Sequence, residues 1–262
     1  MKNIKVYNDR MNVSVNKDEK LFFIDHIDFT EVGTIIDFGG ANGSLLWNLM
    51  QLCPETTFTK KIIVDNNPQM KTEYPIENCT RVSDIYDIQV DKDAGKVLVI
   101  FSSVLHEVSR MLTHQLAAFC SLNADIVVLR DMFYHGGKHP EHKYYEDFAA
   151  YEIIRNNPEW YGMFEYIRQG ASQYWMQTPE QILTHFILKY TYTENWETEK
   201  CENYFSNNVD LLAKMLEKSG WMVEFERNYA LPYKAEQALH IFSWPDLPDT
   251  HTQRILVKEK NV

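Results

Sequence analysis

Glycine is scarce in this chain, with 10 in 262 residues. Cysteine is scarcer: Cys53, Cys79, Cys120 and Cys201 lie far apart, with no CxxC pair. That excludes a disulfide scaffold and a thiolate metal knuckle, and it leads to the expectation of reduced, buried thiols in a cytoplasm. No run approaches the roughly 18 apolar residues of a membrane-spanning helix, so no membrane partner is expected. The opening stretch, MKNIKVYNDRMNVSVNKDEK, lacks the apolar block of a secretory leader, which again points to a cytoplasmic protein. Lysine and arginine form no block, and the formal net charge is -11. A broad phosphate-gripping surface is therefore disfavoured, because nonspecific nucleic-acid affinity comes from clustered cations. One local basic patch could still sit within an acidic total, so nucleic acid is not excluded. Internal repeats and low-complexity linkers are absent as well.

What is present is a soluble, core-forming composition: 45% hydrophobic and 24% charged residues. Short β-branched runs recur between turn signals: TIIDF (34–38), KKIIVD (60–65), TRVSD (80–84), KVLVIF (96–101) and DIVVLR (125–130). They do not alternate cleanly, which is how strands buried on both faces of a parallel sheet read. Helical stretches separate them. GSLLWNLMQLC places Leu45, Leu46, Leu49 and Leu52 at helical spacing. NPQMK carries Pro68 where a first helical turn tolerates it, and SVLHEVSRMLTHQLAAFCSLN reads as a long helix before the fifth strand. Strand–helix alternation of this kind predicts an α/β fold with right-handed crossovers.

After Arg130 the pattern changes. About half of the chain's aromatic residues fall within 132–205, too many for a disordered linker. TPEQILTHFILKY begins with a capping signature, Thr178 with Gln181 and Pro179 between them. The sheet pattern resumes with NNVDLLAKMLEKSG, closed by Gly220, and two strand-like runs, WMVEFERN and RILVKEK. The expected domains are an N-terminal helical segment (1–29), a core (30–131 and 206–262), and a helical cap (132–205) over the C-terminal edge of the sheet. That core is read as Rossmann-like: a mostly parallel, seven-stranded sheet with helices on both faces.

Three of the scarce glycines fall in one stretch, TIIDFGGANGSLLWNLM (34–50). A strand ending in an acid, a glycine loop and then a helix is a device for binding a nucleotide cofactor. A dinucleotide fingerprint would place glycines as GxGxxG and amides toward a pyrophosphate. Here Gly39, Ala41 and Gly43 are spaced two apart, and Asp37 precedes them. An acid at that point repels a pyrophosphate and suits an amine-bearing ligand, which places a nicotinamide oxidoreductase third in rank.

DFGGANG resembles the D-x-G-x-G-x-G loop of class I S-adenosylmethionine-dependent methyltransferases, with Ala41 in place of the middle glycine. Three further features follow in that family's order. IIVDNNP ends the second strand in Asp65, followed by Asn66; the resemblance implies that the acid holds the cofactor's ribose. VSDIY supplies Asp84 for the adenine amino group and Ile85 beside the ring. VIFSSVLHEV resembles the fourth strand and the following LHE or LHH run. Ser102 there either lies at the cofactor or, with Ser103, caps the next helix. KDEKLFFIDHI and THFILKYTYTENWE look like an uncharacterised bacterial branch of the same superfamily. The resemblance implies S-adenosyl-L-methionine as cofactor and an enzyme transferring a methyl group to O or N.

Methyl transfer needs a base when the acceptor is a protonated hydroxyl or ammonium. His106 follows the fourth strand, and Asp131 and Tyr134 follow the fifth; these are the candidate catalytic residues. The N-P-P-Y of amino-methylating DNA enzymes and the Pro-Cys nucleophile of cytosine C5 enzymes are missing, so a small or medium-sized acceptor is favoured. An RNA or protein methyltransferase is the alternative, and a non-catalytic S-adenosylmethionine-binding module is the alternative of another class. His135, His139, His142 and Glu146 suggest a metal, but their spacing fits no compact motif and none is assigned. Oligomeric state is left open.

Overall fold

The computed structural model describes residues 12–90, 92–108, 123–132, 148–174, 178–193, 196–200, 214–245 and 247–259. Seven strands form one sheet: β1 (Val32–Phe38), β2 (Lys60–Val64), β3 (Cys79–Val82), β4 (Lys96–Ser102), β5 (Ile126–Asp131), β6 (Trp221–Tyr229) and β7 (His251–Lys258). Their order is β3-β2-β1-β4-β5-β7-β6. The first five pair in parallel, as their unalternating apolar runs predict. β1, β4 and β5 are buried almost throughout, because both faces of the sheet are covered. β7 runs against its neighbours. The Lys258 N–H at its end donates to the Asp125 carbonyl at the start of β5, and the Thr250 N–H donates to the Tyr229 carbonyl at the end of β6. All seven predicted strands are found.

Chain order reverses between β1 and β4. The chain goes outward through β2 and β3, then returns to lay β4 on the other side of β1. Helices leaving the two neighbouring strand ends diverge, opening a crevice beyond the C-terminal edge. The Asp37 of β1 stands level with Ile63 of β2 and Ile100 of β4, so the acid sits at that crevice.

By contacts the chain divides into two units. One comprises Asn3–Asp131, Leu211–Arg227 and Gln253–Val262. Its apolar core joins Leu21 and Phe23 to Ile35, Leu98, Ile100 and Val128 of the sheet. Helix α1 (Ser44–Leu52) contributes Leu45, Leu46 and Leu49 to it, while Leu52 stays exposed. The other unit comprises Met132–Asp210 and Asn228–Thr252. There Pro158–Tyr174 and Pro179–Lys189 pack around Phe164 and Phe186, both fully buried. Thr178 and Gln181 form the predicted capping box reciprocally.

Three differences from the sequence reading have physical causes. Pro68 lies in a turn instead of a helix, because the Asn67 side chain accepts the Gln69 N–H (3.0 Å) and closes a local turn. The described N-terminal segment consists mainly of turns and two 3-10 helices, Phe22–Asp25 and Phe29–Glu31. Between β6 and β7 the sequence reading saw no helix, but Pro232–Phe242 is one. Its Ala238 and Phe242 join Ile154, Phe164 and Phe186 in one cluster, so residues 228–252 group with the aromatic insertion.

Candidate functional site

The glycine loop folds tightly across the end of β2. Gly39 and Gly40 both donate to the Val64 carbonyl (2.7 and 3.3 Å), and Gly43 donates back to Gly40 (2.8 Å). Gly39 and Gly43 have φ of 72° and 86°. A Cβ on Gly39 would lie 2.4 Å from Val104 beyond β4, and one on Gly40 would lie 2.6 Å from the Asp37 carboxylate. Those glycines thus bring the β1 loop, its own acid and the β4 loop into contact. Ala41 also has positive φ, 41°. An L-residue there costs about 1–2 kcal/mol. Ala41→Gly should therefore stabilise the protein by about 0.5–1 kcal/mol after glycine's larger unfolded-state entropy is counted. Thermal denaturation checks it; an unchanged or lower midpoint refutes the strain argument.

Beneath the loop lies Asp37, 2% exposed, with its Oδ2 bonded to nothing among the described residues. Burial pushes its pKa up to about 7; Lys20 and Arg81 oppose this and Asp65 reinforces it. A buried carboxylate oxygen without a donor costs free energy, and an incoming amine or ammonium would supply one. At the end of β4 a second orphan, the Ser102 hydroxyl, is also buried without a partner among the described residues.

Asp65 is a fixed part of the loop. Its Oδ2 accepts the Ala41 N–H (2.9 Å), and its Oδ1 accepts the Asn67 N–H (2.8 Å). Each oxygen keeps a further lone pair for a ligand hydroxyl. Arg81 of β3, which the sequence reading passed over, donates to the Ala41 carbonyl and lies 3.4 Å from Asp65 Oδ1. It ties acid and loop into one piece. Asn66 is exposed. Asp84 is exposed too and caps the 3-10 turn Ile85–Asp87 by accepting the Tyr86 N–H (3.0 Å); Ile85 is half-buried.

His106 and Asp131 are brought together. Asp131, fully buried at the end of β5, accepts Val104 and Leu105 N–H on one oxygen (2.9 and 2.7 Å). Its other oxygen lies 2.6 Å from His106 Nδ1. The helix Leu105–Val108 is thus capped by Asp131, while the Ser103 hydroxyl instead accepts a hydrogen bond from Arg130. A carboxylate on Nδ1 favours the tautomer with Nδ1 protonated, and Nε2 lies 3.8 Å from Glu107 Oε1. Tyr134 and the His135–His139–His142–Glu146 cluster lie outside the described residues. No group of three potential metal ligands occurs among the described ones.

Neither a protein-family model nor a curated relative matches the sequence. Solved structures are similar to it. An S-adenosylmethionine-dependent methyltransferase from Mesorhizobium loti shares 11% identity over 91% of this chain and 96% of that one, with a TM-score of 0.50. TnmH shares 11% identity over 97% of this chain and 57% of its own, with a TM-score of 0.49. LepI, solved as a complex with SAM, shares 10% identity over 87% of this chain, with a TM-score of 0.44. The chain spans 57% of TnmH and 43% of LepI. Sheet order and the Mesorhizobium loti match together give the fold of class I S-adenosylmethionine-dependent methyltransferases.

Proposed function

We propose that this chain, built on a methyltransferase fold, binds S-adenosylmethionine and transfers its methyl group to an oxygen or nitrogen of a small or medium-sized acceptor. The observation that carries the reading is Asp37. Its unpartnered, buried carboxylate oxygen lies under a glycine loop at the sheet's switch point, next to Asp65. That donor-hungry acid fits an α-ammonium and would repel a pyrophosphate. Asp65 would hold the ribose hydroxyls, with Asn66 beside it; Ile85 would flank the adenine, and Asp84 would meet the adenine amino group. Gly39, Ala41, Gly43 and Ser102 would line the remainder.

When bound, S-adenosylmethionine supplies an activated methyl group and a neutral thioether leaving group. The chain's own contribution is to align the acceptor and remove its proton. His106 Nε2 takes that proton while Asp131 holds the imidazole and stabilises the charge it acquires. This pair favours an enzyme over a bare binding module. Tyr134 is kept as a further acceptor-side residue on sequence grounds.

Thermal-shift titration with S-adenosylhomocysteine and NAD tests the cofactor. Stabilisation by the first and not the second is expected, and the reverse result sinks the reading. Labelled cofactor incubated with separate metabolite, RNA and protein fractions then locates the acceptor. Asp65→Ala should weaken S-adenosylhomocysteine binding about ten-fold or more, the 1.4 kcal/mol of a charge-assisted hydrogen bond. Calorimetry on a variant with wild-type circular dichroism measures it, and an unchanged dissociation constant removes Asp65 from the ribose.

A further inference from the structure

Residues 18–21 come from a stretch, NKDEKLFF, that reads as a solvated charge run, yet they are fastened into the sheet's C-terminal edge. Gln253 of β7 donates its side-chain N–H groups to the carbonyls of Asp18 (2.7 Å) and Glu19 (2.9 Å). The Glu19 carboxylate meets Arg130 of β5 at 2.6 Å, and Arg130 donates to the Ser103 hydroxyl beyond β4. Leu21 is fully buried in the core. Lys20 is held between these anchors, with its own N–H on the Ser14 carbonyl (3.2 Å).

The Lys20 side chain is 5% exposed, and no hydrogen bond or ion pair to its ammonium exists among the described residues. Burial first, and Arg130 after it, bring its pKa down to about 7, against the opposing pull of Asp37, Asp131 and Glu19. An amine on so nearly buried a residue, with no partner among the described residues, is costly unless one arrives. Asp37 feels the same amine and carries the complementary defect, a buried acceptor without a donor. Two such groups of opposite sign, electrostatically coupled at the C-terminal edge of one sheet, describe the outline of a ligand. It carries a cationic N–H donor for the acid and an anionic acceptor for the amine. An α-amino-acid end, zwitterionic at neutral pH, has both on one carbon. A simple internal pair would instead bring ammonium and carboxylate into contact, and no such contact is present.

We propose that Lys20, presented by the N-terminal segment, is a binding residue for the ligand's carboxylate, paired with Asp37 for its α-ammonium. The site thereby selects nucleosides that carry an intact amino-acid end. This rests on the S-adenosylmethionine reading.

Three ligands separate the two claims by calorimetry on the full chain: S-adenosylhomocysteine, its decarboxylated amine analogue, and 5′-methylthioadenosine, which lacks the amino-acid end. The wild-type protein should bind S-adenosylhomocysteine at least 30-fold more tightly than the decarboxylated analogue. Lys20→Met should remove most of that preference while leaving 5′-methylthioadenosine affinity within two-fold, and Lys20→Arg should restore part of it. The wild-type comparison stands even if Lys20→Met fails to fold. Equal wild-type affinity for the acid and its decarboxylated analogue overturns the inference and leaves the methyltransferase reading intact. So does an equal loss of all three ligands in Lys20→Met. Should the wild type bind none of the three, the cofactor reading falls and the Lys20 assignment falls with it.

Discussion

Asp131→Asn should nearly abolish methyl transfer while leaving the protein folded. The carboxylate takes two backbone N–H groups on one oxygen and His106 on the other. An asparagine can keep its carbonyl oxygen toward Val104 and Leu105. Its NH2 then faces His106 Nδ1, forcing that nitrogen to accept and placing the proton on Nε2, where a base is needed. The loss should approach the full worth of general-base catalysis, roughly 10²–10⁴-fold in kcat, with cofactor affinity nearly unchanged. Asp131→Ala removes the acceptor for both amides as well. Each buried N–H left unsatisfied costs about 1–3 kcal/mol, so that variant should also be destabilised by several kcal/mol. Single-turnover rates and urea denaturation on both variants separate the two effects. An Asn variant with wild-type kcat would reduce Asp131 to a helix cap.

Asp37→Asn should trade binding for stability. In the folded protein the Asp37 pKa rises from 3.8 to about 7, chiefly through burial. Between about pH 4 and 7 the native state then holds more protons than the unfolded chain, so this residue's contribution falls as pH rises and stays low above 7. A shift of that size corresponds to on the order of 4 kcal/mol at its limit. Asparagine has no such dependence. The variant's advantage should therefore grow from pH 4 to 7 and level off. Lys20, lowered from 10.5 to about 7, acts in the other window: its unfavourable contribution fades as pH rises from 7 toward 10.5. Denaturation midpoints at pH 5, 7 and 9, with calorimetry for S-adenosylhomocysteine, test both halves. Binding should fall by 30-fold or more. A stability difference independent of pH would show that Asp37 is not the titrating group.

The sheet was legible because burial on both faces leaves a signature within five or six residues: IIDF, KIIV and VLVIF need no partner to be read. The glycine loop was legible because backbone geometry restricts which residues can stand at 39 and 43. Its reason was half hidden, since the atoms closest to the missing side chains are those of Val104 at Gly39 and Ile63 at Gly43, both of the protein itself. Arg81, Arg130 and Lys20 were not legible. Arg81 and Arg130 are ordinary charged residues until the fold sets them beside Asp65 and Glu19, Lys20 is one until the fold buries it within the field of Asp37, and no local period encodes such meetings. Pro232–Phe242 was short and flanked by strands, and the cluster that holds it lies far off in sequence. The pairing of His106 with Asp131 was half visible: both residues stood out, but their 2.6 Å contact joins two strand ends.

Gln253 and Asp18 are separated by 235 positions. A chain emerging from the ribosome can lay down β1 to β5, shape the glycine loop and join His106 to Asp131 with the last third unmade. It cannot clamp Asp18 and Glu19 until β7 has been synthesised and threaded in beside β5. Contacts so distant in sequence form late, because loop closure must be met before they contribute. The C-terminal edge would thus gain Lys20 near the end of folding, and a nascent chain would hold its ligand only weakly.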